Sequence, residues 1–469
     1  MKNFLSPPPP KPQKPKEEID ATYKKMRWQV FLGIFIGYAA FYLVRKNFSL
    51  AIPLLEETMG LTKSSLGFAL SLNAFAYGLS KFIMGGISDR SDARKFLPLG
   101  LVLASVAIML AGTRLGLYNL ATMAVCQFLI GWVGGMGWPP CGRVMTHWFS
   151  VKERGTKMSI WNIAHNVGGA ALGPVTALGF SVFTIYGYSK FASMQFGYFF
   201  LPAMIAILIA AIAFLLIRDN PRACGLPTIE EYRNDYPINY SKKQEEVLTT
   251  REIIFKYVFT NKILWMVAFA NVFVYMVRYG VLDWAAAYLQ QMKGYDIKTS
   301  GWAYMYYELA AIPGTLLCGW MSDRIFKGRR AIMNILFMGM TTLAVLVYWK
   351  NGQGGFVDHI IRLFTSNMQL IDNIAIVAIG FFVYGPIMLI GVQALDLSPK
   401  NAAGASAGLT GFFGYFFGTA ILANNLLGYL AHNDVTWNTY FIAIITACIL
   451  SMVLMAFIHR QEQRTFKAK

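Results

Sequence analysis

Gly85-Gly86-Ile87-Ser88-Asp89-Arg90 recurs 234 residues later as Gly319-Trp320-Met321-Ser322-Asp323-Arg324. Each copy closes a long apolar run and opens a short basic segment, with Arg94 after the first copy and Arg329 and Arg330 after the second. A second pair keeps almost the same spacing: Phe41-Tyr42-Leu43-Val44-Arg45 returns as Val274-Tyr275-Met276-Val277-Arg278, 233 residues on. Two motifs from different apolar runs at one offset mark a duplicated unit. A bilayer-spanning helix needs about 20 largely apolar residues. Such runs lie near 28–52, 65–88, 96–115, 119–145, 157–184 and 194–217, and again near 262–284, 300–322, 331–350, 371–396, 405–430 and 438–459. The pattern predicts an all-α membrane protein of twelve transmembrane helices in two pseudo-symmetric six-helix halves. The segments are a Pro- and Lys-rich tail (1–27), a first half (28–217), a central loop (218–261), a second half (262–459) and a short tail (460–469). Parallel repeats of this kind place a substrate near the midplane, between the halves.

Composition agrees with that pattern. Of 469 residues, 56% are hydrophobic and 14% charged, against roughly 25% charged in soluble domains. This excludes disorder, a coiled coil and an ordinary cytosolic enzyme. The net charge of +18 does not read as nucleic-acid binding, because the basic residues sit between apolar runs and not on one soluble face. Of the 42 Lys and Arg, 30 fall in segments on the side of the two termini, seven in loops on the other side and five inside spans. The positive-inside rule then puts both termini in the cytoplasm, with some added attraction to anionic membrane lipid. Residues 6–16, Ser-Pro-Pro-Pro-Pro-Lys-Pro-Gln-Lys-Pro-Lys, have no apolar core and do not form a signal peptide. Five cysteines with no CxxC or Cys/His cluster suggest neither a disulfide framework nor a metal site, and no cofactor is expected. GxxxxGK[ST] and HExxH are missing from the sequence, which argues against an ATP-driven pump or a zinc-dependent enzyme.

Charges within spans are costly, about 2.5–3.5 kcal/mol on insertion scales, and so point to function. The cations are Arg45, Lys46, Lys81, Arg143 and Arg278; the acids are Asp283 and Glu308, with Asp396 at a span's end. Tyr38, Tyr42 and Arg45 share one helix face at i, i+4, i+7, and Asn271, Tyr275 and Arg278 repeat that spacing. Symmetry would aim both guanidiniums at one cavity. Their planar forks suit phosphate oxygens, and two unpaired cations facing each other call for a multivalent anion. Lys46 and Lys81 either snorkel to an interface or form cross-half bridges Lys46–Asp283 and Lys81–Glu308 that break and reform. Arg143, near a span's end, reads as structural. His165 lies beside Trp161 and Asn162, and the ordinary titration range of an imidazole overlaps the second pKa of phosphate. Trp138-Pro139-Pro140 should kink the fourth span beside this wall.

The repeated Gly-x-x-x-Asp-Arg-x-x-x-Arg pattern resembles the signature of the major facilitator superfamily. There Asp89 and Arg90, with Asp323 and Arg324 in the copy, would latch the cytoplasmic gate. The stretches 37–48, 135–143 and 161–169 are similar to the organophosphate:phosphate antiporter family, and the likeness runs from about Glu18 to the last span. The resemblance implies a major facilitator fold working by alternating access. It implies that Arg45, Arg278 and His165 bind the phosphate, while Lys46, Lys81, Asp283 and Glu308 form bridging charges. The substrates implied are glycerol-3-phosphate entering and inorganic phosphate leaving, across a bacterial inner membrane, through a monomer. The alternatives are hexose-6-phosphate, phosphoglycerate, or a transporter-like sensor of sugar phosphate. Hexose-phosphate relatives carry an Asp and a Lys in the eleventh span, and Ala407-Gly408-Leu409-Thr410-Gly411 has neither. The loop 351–370 and the run Tyr306-Tyr307-Glu308-Leu309-Ala310-Ala311 depart from the family's pattern.

Overall fold

Helical rods carry the apolar runs. The computed structural model describes residues 4–45, 47, 48, 51, 55, 63–236, 249, 251–295, 297–430 and 437–467, among which there is no strand. The first six rods are α1 (Lys16–Leu43), α2 (Lys63–Ser88), α3 (Ala93–Gly112), α4 (Leu120–Trp148), α5 (Val151–Ile185) and α6 (Lys190–Leu216). The second six are α7 (Lys262–Lys293), α8 (Ile297–Arg324), α9 (Arg330–Lys350), α10 (Met368–Asp396), α11 (Lys400–Leu426) and α12 (Trp437–Lys467). Ten are long and apolar enough to cross a membrane; the other two, α2 and α8, contain Lys81 and Glu308.

Several rods outrun their apolar stretches. α1 starts at Lys16 and not near residue 28, with Glu17 and Glu18 in its first turn, where carboxylates complement the helix dipole. α12 continues to Lys467, no Gly or Pro intervening to stop it. α4 is broken as its prolines require. One helix ends at Gly134, a second begins at Trp138, and Pro139 and Pro140 occupy the second helix's first turn, where the missing N–H costs nothing. α6 and α11 include π-helical stretches over Gln195–Phe200 and Phe413–Leu426. Ahead of α1, the proline tail is tied down: Lys11 N–H donates to Arg222 O (3.0 Å) and Lys14 N–H to Gly225 O (2.9 Å). The central loop carries a short helix, Ile229–Arg233, whose Glu230 pairs with Lys400 at 2.7 Å.

The chain forms two compact units, and each borrows a short segment from the other half of the sequence. The first comprises Met1–Ser150, Ile160–Thr260 and Ser398–Leu409; the second comprises Val151–Ser159, Asn261–Leu397 and Thr410–Lys469. The repeated motif holds each borrowed segment. In the first unit, Asp89 accepts the backbone N–H of Gly404 (2.7 Å) and Ala405 (2.8 Å), at the start of the α-helical part of α11. Gly85 allows this approach, since a Cβ there would lie 2.4 Å from Gly404 O. In the second unit, Asp323 accepts the N–H and the hydroxyl of Thr156 at the start of α5. Gly319 sits where a Cβ would press on Gly155 O and Ser159.

The sequence reading assigned the motif arginines Arg90 and Arg324 to this latch, but both are exposed. The buried Arg143 and Arg330 brace the loops. Arg143 donates to the carbonyls of Ser88, Asp89 and Ser91 and pairs with Asp219 at 3.0 Å. Arg330 pairs with Asp323 and with Asp396 and donates to Val151 O. Burial pushes the Asp89 carboxyl up to about 7, against the opposing pull of the Ala405 amide, the Arg143 guanidinium and the Gly404 amide.

Candidate functional site

In the first unit, α1 presents Tyr38 and Tyr42 one turn apart and ends at Leu43, so Arg45 leaves from the helix terminus. Its guanidinium lies 3.8 Å from the ring centre of Tyr77 and 5.5 Å from that of Tyr42, whose hydroxyl it reaches at 3.5 Å. Tyr38, Tyr42, Arg45 and Tyr77 line a small cleft. From Tyr42 the rings continue to His165 at 5.6 Å. Through Tyr38 they reach Trp161 (4.6 Å) and then Trp138 (6.3 Å), over which the Lys81 ammonium stands at 5.1 Å. Trp161 is fully buried and anchored by donation from Nε1 to Ile34 O at 3.1 Å. Asn162 contributes through its backbone: its carbonyl accepts from His165 Nδ1, which sets the neutral ring's proton on that nitrogen.

The first-half residues expected to bind substrate thus lie along one continuous aromatic wall. Lys46 is outside the described residues. Tyr77 was missed, although it shares a helix face with Lys81 at i, i+4.

In the second unit, Arg278 on α7 lies 4.3 Å from the ring centre of Tyr384 and 4.7 Å from that of Tyr279. Its Nη2 donates to the Tyr384 hydroxyl at 3.0 Å, and that hydroxyl donates onward to Glu308 Oε1 at 2.7 Å. The acid therefore reaches the arginine through a phenol and not as a direct ion pair. Tyr307 donates to Arg278 O at 3.1 Å, fixing the backbone from which the side chain leaves. Nε of Arg278 is buried with no acceptor among the described residues. Tyr275 meets Tyr415 at 5.1 Å. Asn271 instead ties helices together, donating to Thr410 O at 2.7 Å. Asp283 is exposed, further along α7.

Tyr279, Tyr384 and Tyr415 are not found by the sequence reading, and Tyr307 enters it only within the run 306–311 that departs from the family's pattern. The available signal was a phenol hydroxyl inside an apolar run, which needs a polar partner there. Among the described residues no group of three His, Cys, Asp or Glu could hold a metal ion. Each unit therefore offers one guanidinium laid against tyrosine rings, with hydroxyl groups beside it. That chemistry suits a tetrahedral oxyanion, which accepts from the planar fork and exchanges hydrogen bonds with the phenols.

The chain matches the Major Facilitator Superfamily over residues 34–423. It is 51% identical over 457 residues to the glycerol-3-phosphate transporter of Bacillus subtilis (strain 168), covering 97% of each chain. It is 47% identical over 467 residues to the glycerol-3-phosphate transporter of Haemophilus influenzae, covering 97% of this chain and 95% of that one. Among solved structures, the fucose:proton symporter of E. coli aligns with a TM-score of 0.66 at 11% identity, over 91% of this chain and 98% of that one. At that identity the likeness is one of fold.

Proposed function

The chain belongs to the major facilitator superfamily, and within it we propose a secondary transporter that imports glycerol-3-phosphate in exchange for inorganic phosphate. The observation that carries this reading is the state of Arg278. A half-buried cation whose Nε is shielded from solvent and lacks an acceptor among the described residues carries an electrostatic cost that an arriving anion offsets. Arg45 occupies the equivalent position in the repeat, also against tyrosine rings. Both guanidiniums act on the phosphoryl group, the part the two substrates share. His165 at the end of the Tyr42 contact adds a further hydrogen-bonding group beside Arg45.

The glycerol end is supported by the names of the two relatives at 51% and 47% identity. Swapping one dianion for another moves little net charge, so the outward phosphate gradient suffices and no nucleotide is consumed. Lys46, Lys81, Asp283 and Glu308 serve as charges that exchange partners during the cycle, and the Asp89 and Asp323 clasps act as cytoplasmic gates. The protein works as a monomer in the bacterial plasma membrane, with both termini inside.

The test is counterflow in reconstituted vesicles. Vesicles loaded with inorganic phosphate should accumulate labelled glycerol-3-phosphate, and empty ones should not. Equal uptake by empty vesicles would overturn the exchange mechanism. Binding without any counterflow would mark a sensor, and ATP-dependent accumulation would refute the transport class altogether.

A further inference from the structure

A short helix over Phe356–Phe364 lies between α9 and α10 and has no part in the anion chemistry. With the rods counted as spans, it emerges on the membrane face opposite the termini. Its faces differ sharply in chemistry. The polar side is internally satisfied: Asp358 accepts from Gly352 N–H (2.7 Å) and from Arg362 (3.3 Å), and Arg362 also donates to Ser366 O (3.0 Å). The apolar side is mostly open. Phe356, Leu363 and Phe364 are 80%, 72% and 83% exposed and Ile360 is 40% exposed, whereas Ile361 is buried. Positions 356, 360, 363 and 364 fall on one face at helical spacing.

The helix is held in place from both ends of its loop. Asn351 donates to Met368 O and to Asp372, each at 2.9 Å, and Asp372 is buried against Lys293 at 2.9 Å and the Tyr295 hydroxyl at 2.8 Å. The two helices it joins carry exposed apolar stripes, Leu336, Met340 and Leu343 on α9 and Leu370, Ile374 and Val377 on α10. In a membrane-spanning chain those stripes face lipid. Four large apolar side chains left in water would forfeit hydrophobic stabilisation. A helix with one apolar face and an opposite face carrying Asp358, His359 and Arg362 has the amphipathic character of helices that lie along a bilayer surface.

We propose that Phe356–Phe364 is an interfacial helix. Its Phe356, Ile360, Leu363 and Phe364 side chains enter the headgroup–acyl boundary of the leaflet opposite the termini, fixing the depth of α9 and α10. The partner is the phospholipid surface itself, and the inference stands apart from the transported substrate.

Nitroxide labels test it in vesicles of phosphatidylethanolamine and phosphatidylglycerol. Single labels go on Phe356→Cys, Leu363→Cys and Phe364→Cys, with Gln353→Cys as the aqueous reference. The background carries Cys224→Ser, since the other native cysteines are buried. The expected result is loss of collisions with a water-soluble nickel chelate and a gain with oxygen at the three apolar sites, and the reverse at 353. Nickel collisions at the apolar sites equal to those at 353 would place the face in water and overturn the proposal. Low collisions with both reagents would mean that protein covers the face, as in contact with a second copy, and would equally overturn it. Unchanged thermal unfolding of each labelled variant guards against a misfolded readout.

Discussion

Replacing Arg45 or Arg278 by lysine keeps the charge and removes the fork. A point-charge ammonium cannot give two parallel hydrogen bonds to one phosphoryl group or lie flat on the Tyr77 or Tyr384 ring as a guanidinium does. Hydrogen bonds to charged groups contribute about 1.5–3 kcal/mol, so each lysine variant should lose on the order of 10- to 100-fold in phosphate affinity. Calorimetric titration with inorganic phosphate checks this, and near-normal affinity in both variants would place the site elsewhere. Both arginines were legible in the sequence because helical spacing puts them on a face with Tyr42 and Tyr275. Their cages were only half legible. Tyr77 and Tyr384 come from other helices, and Tyr384 lies 106 residues beyond Arg278, a separation that no local period encodes. The repeat arginines Arg90 and Arg324 fit the motif yet are exposed, while Arg330 and Arg143, the latter expected to be structural, do the bracing.

Among the elements, the end of α2 allows a controlled comparison between adjacent glycines. A Cβ on Gly85 would lie 2.4 Å from Gly404 O, and one on Gly86 would meet nothing within 4 Å. The same change to alanine should therefore have opposite signs. Gly85→Ala should destabilise by about 1–3 kcal/mol through overpacking. Gly86→Ala should stabilise by up to about 1 kcal/mol through helix propensity. Thermal unfolding in detergent reads both.

The carboxylate next to this contact predicts a pH dependence. Asp89 is raised from 3.8 to about 7 in the fold, so between those values the folded chain holds a proton that the unfolded chain has lost. Its contribution to stability should decline as pH rises through that window. Asp89→Asn should flatten this part of the profile; a wild-type and variant difference independent of pH would show that Asp89 does not titrate there. Element ends were harder to read than element identities. The apolar runs located the spans, but α1 and α12 continue into charged sequence, where helix propensity and the dipole decide the boundary instead of hydropathy. Nor does local pattern reveal that the starts of α5 and α11 are held by carboxylates from a different part of the chain.

For the whole molecule, the charge distribution predicts a single orientation. With 30 Lys and Arg on the side of the termini against seven on the other, each cation near an anionic cytoplasmic leaflet contributes about 1 kcal/mol, within a Debye length. The excess is spread over the N-terminal tail, the loops and the C-terminus, so no single cluster sets the topology. A fluorescent protein fused after Lys469 should therefore fluoresce in the cytoplasm. Alkaline phosphatase inserted at Gly354, an exposed loop residue just ahead of the Phe356–Phe364 helix, should be active on the outer side. Neutralising Arg90, Arg94 and Lys95 together should leave both signals unchanged, because the remaining cations keep the bias. Inverted signals in the native chain would break the positive-inside reading, and with it the cytoplasmic placement of the Asp89 and Asp323 clasps. A flip caused by the triple change alone would show instead that the α2–α3 loop dominates insertion, as a local determinant and not a sum over the chain.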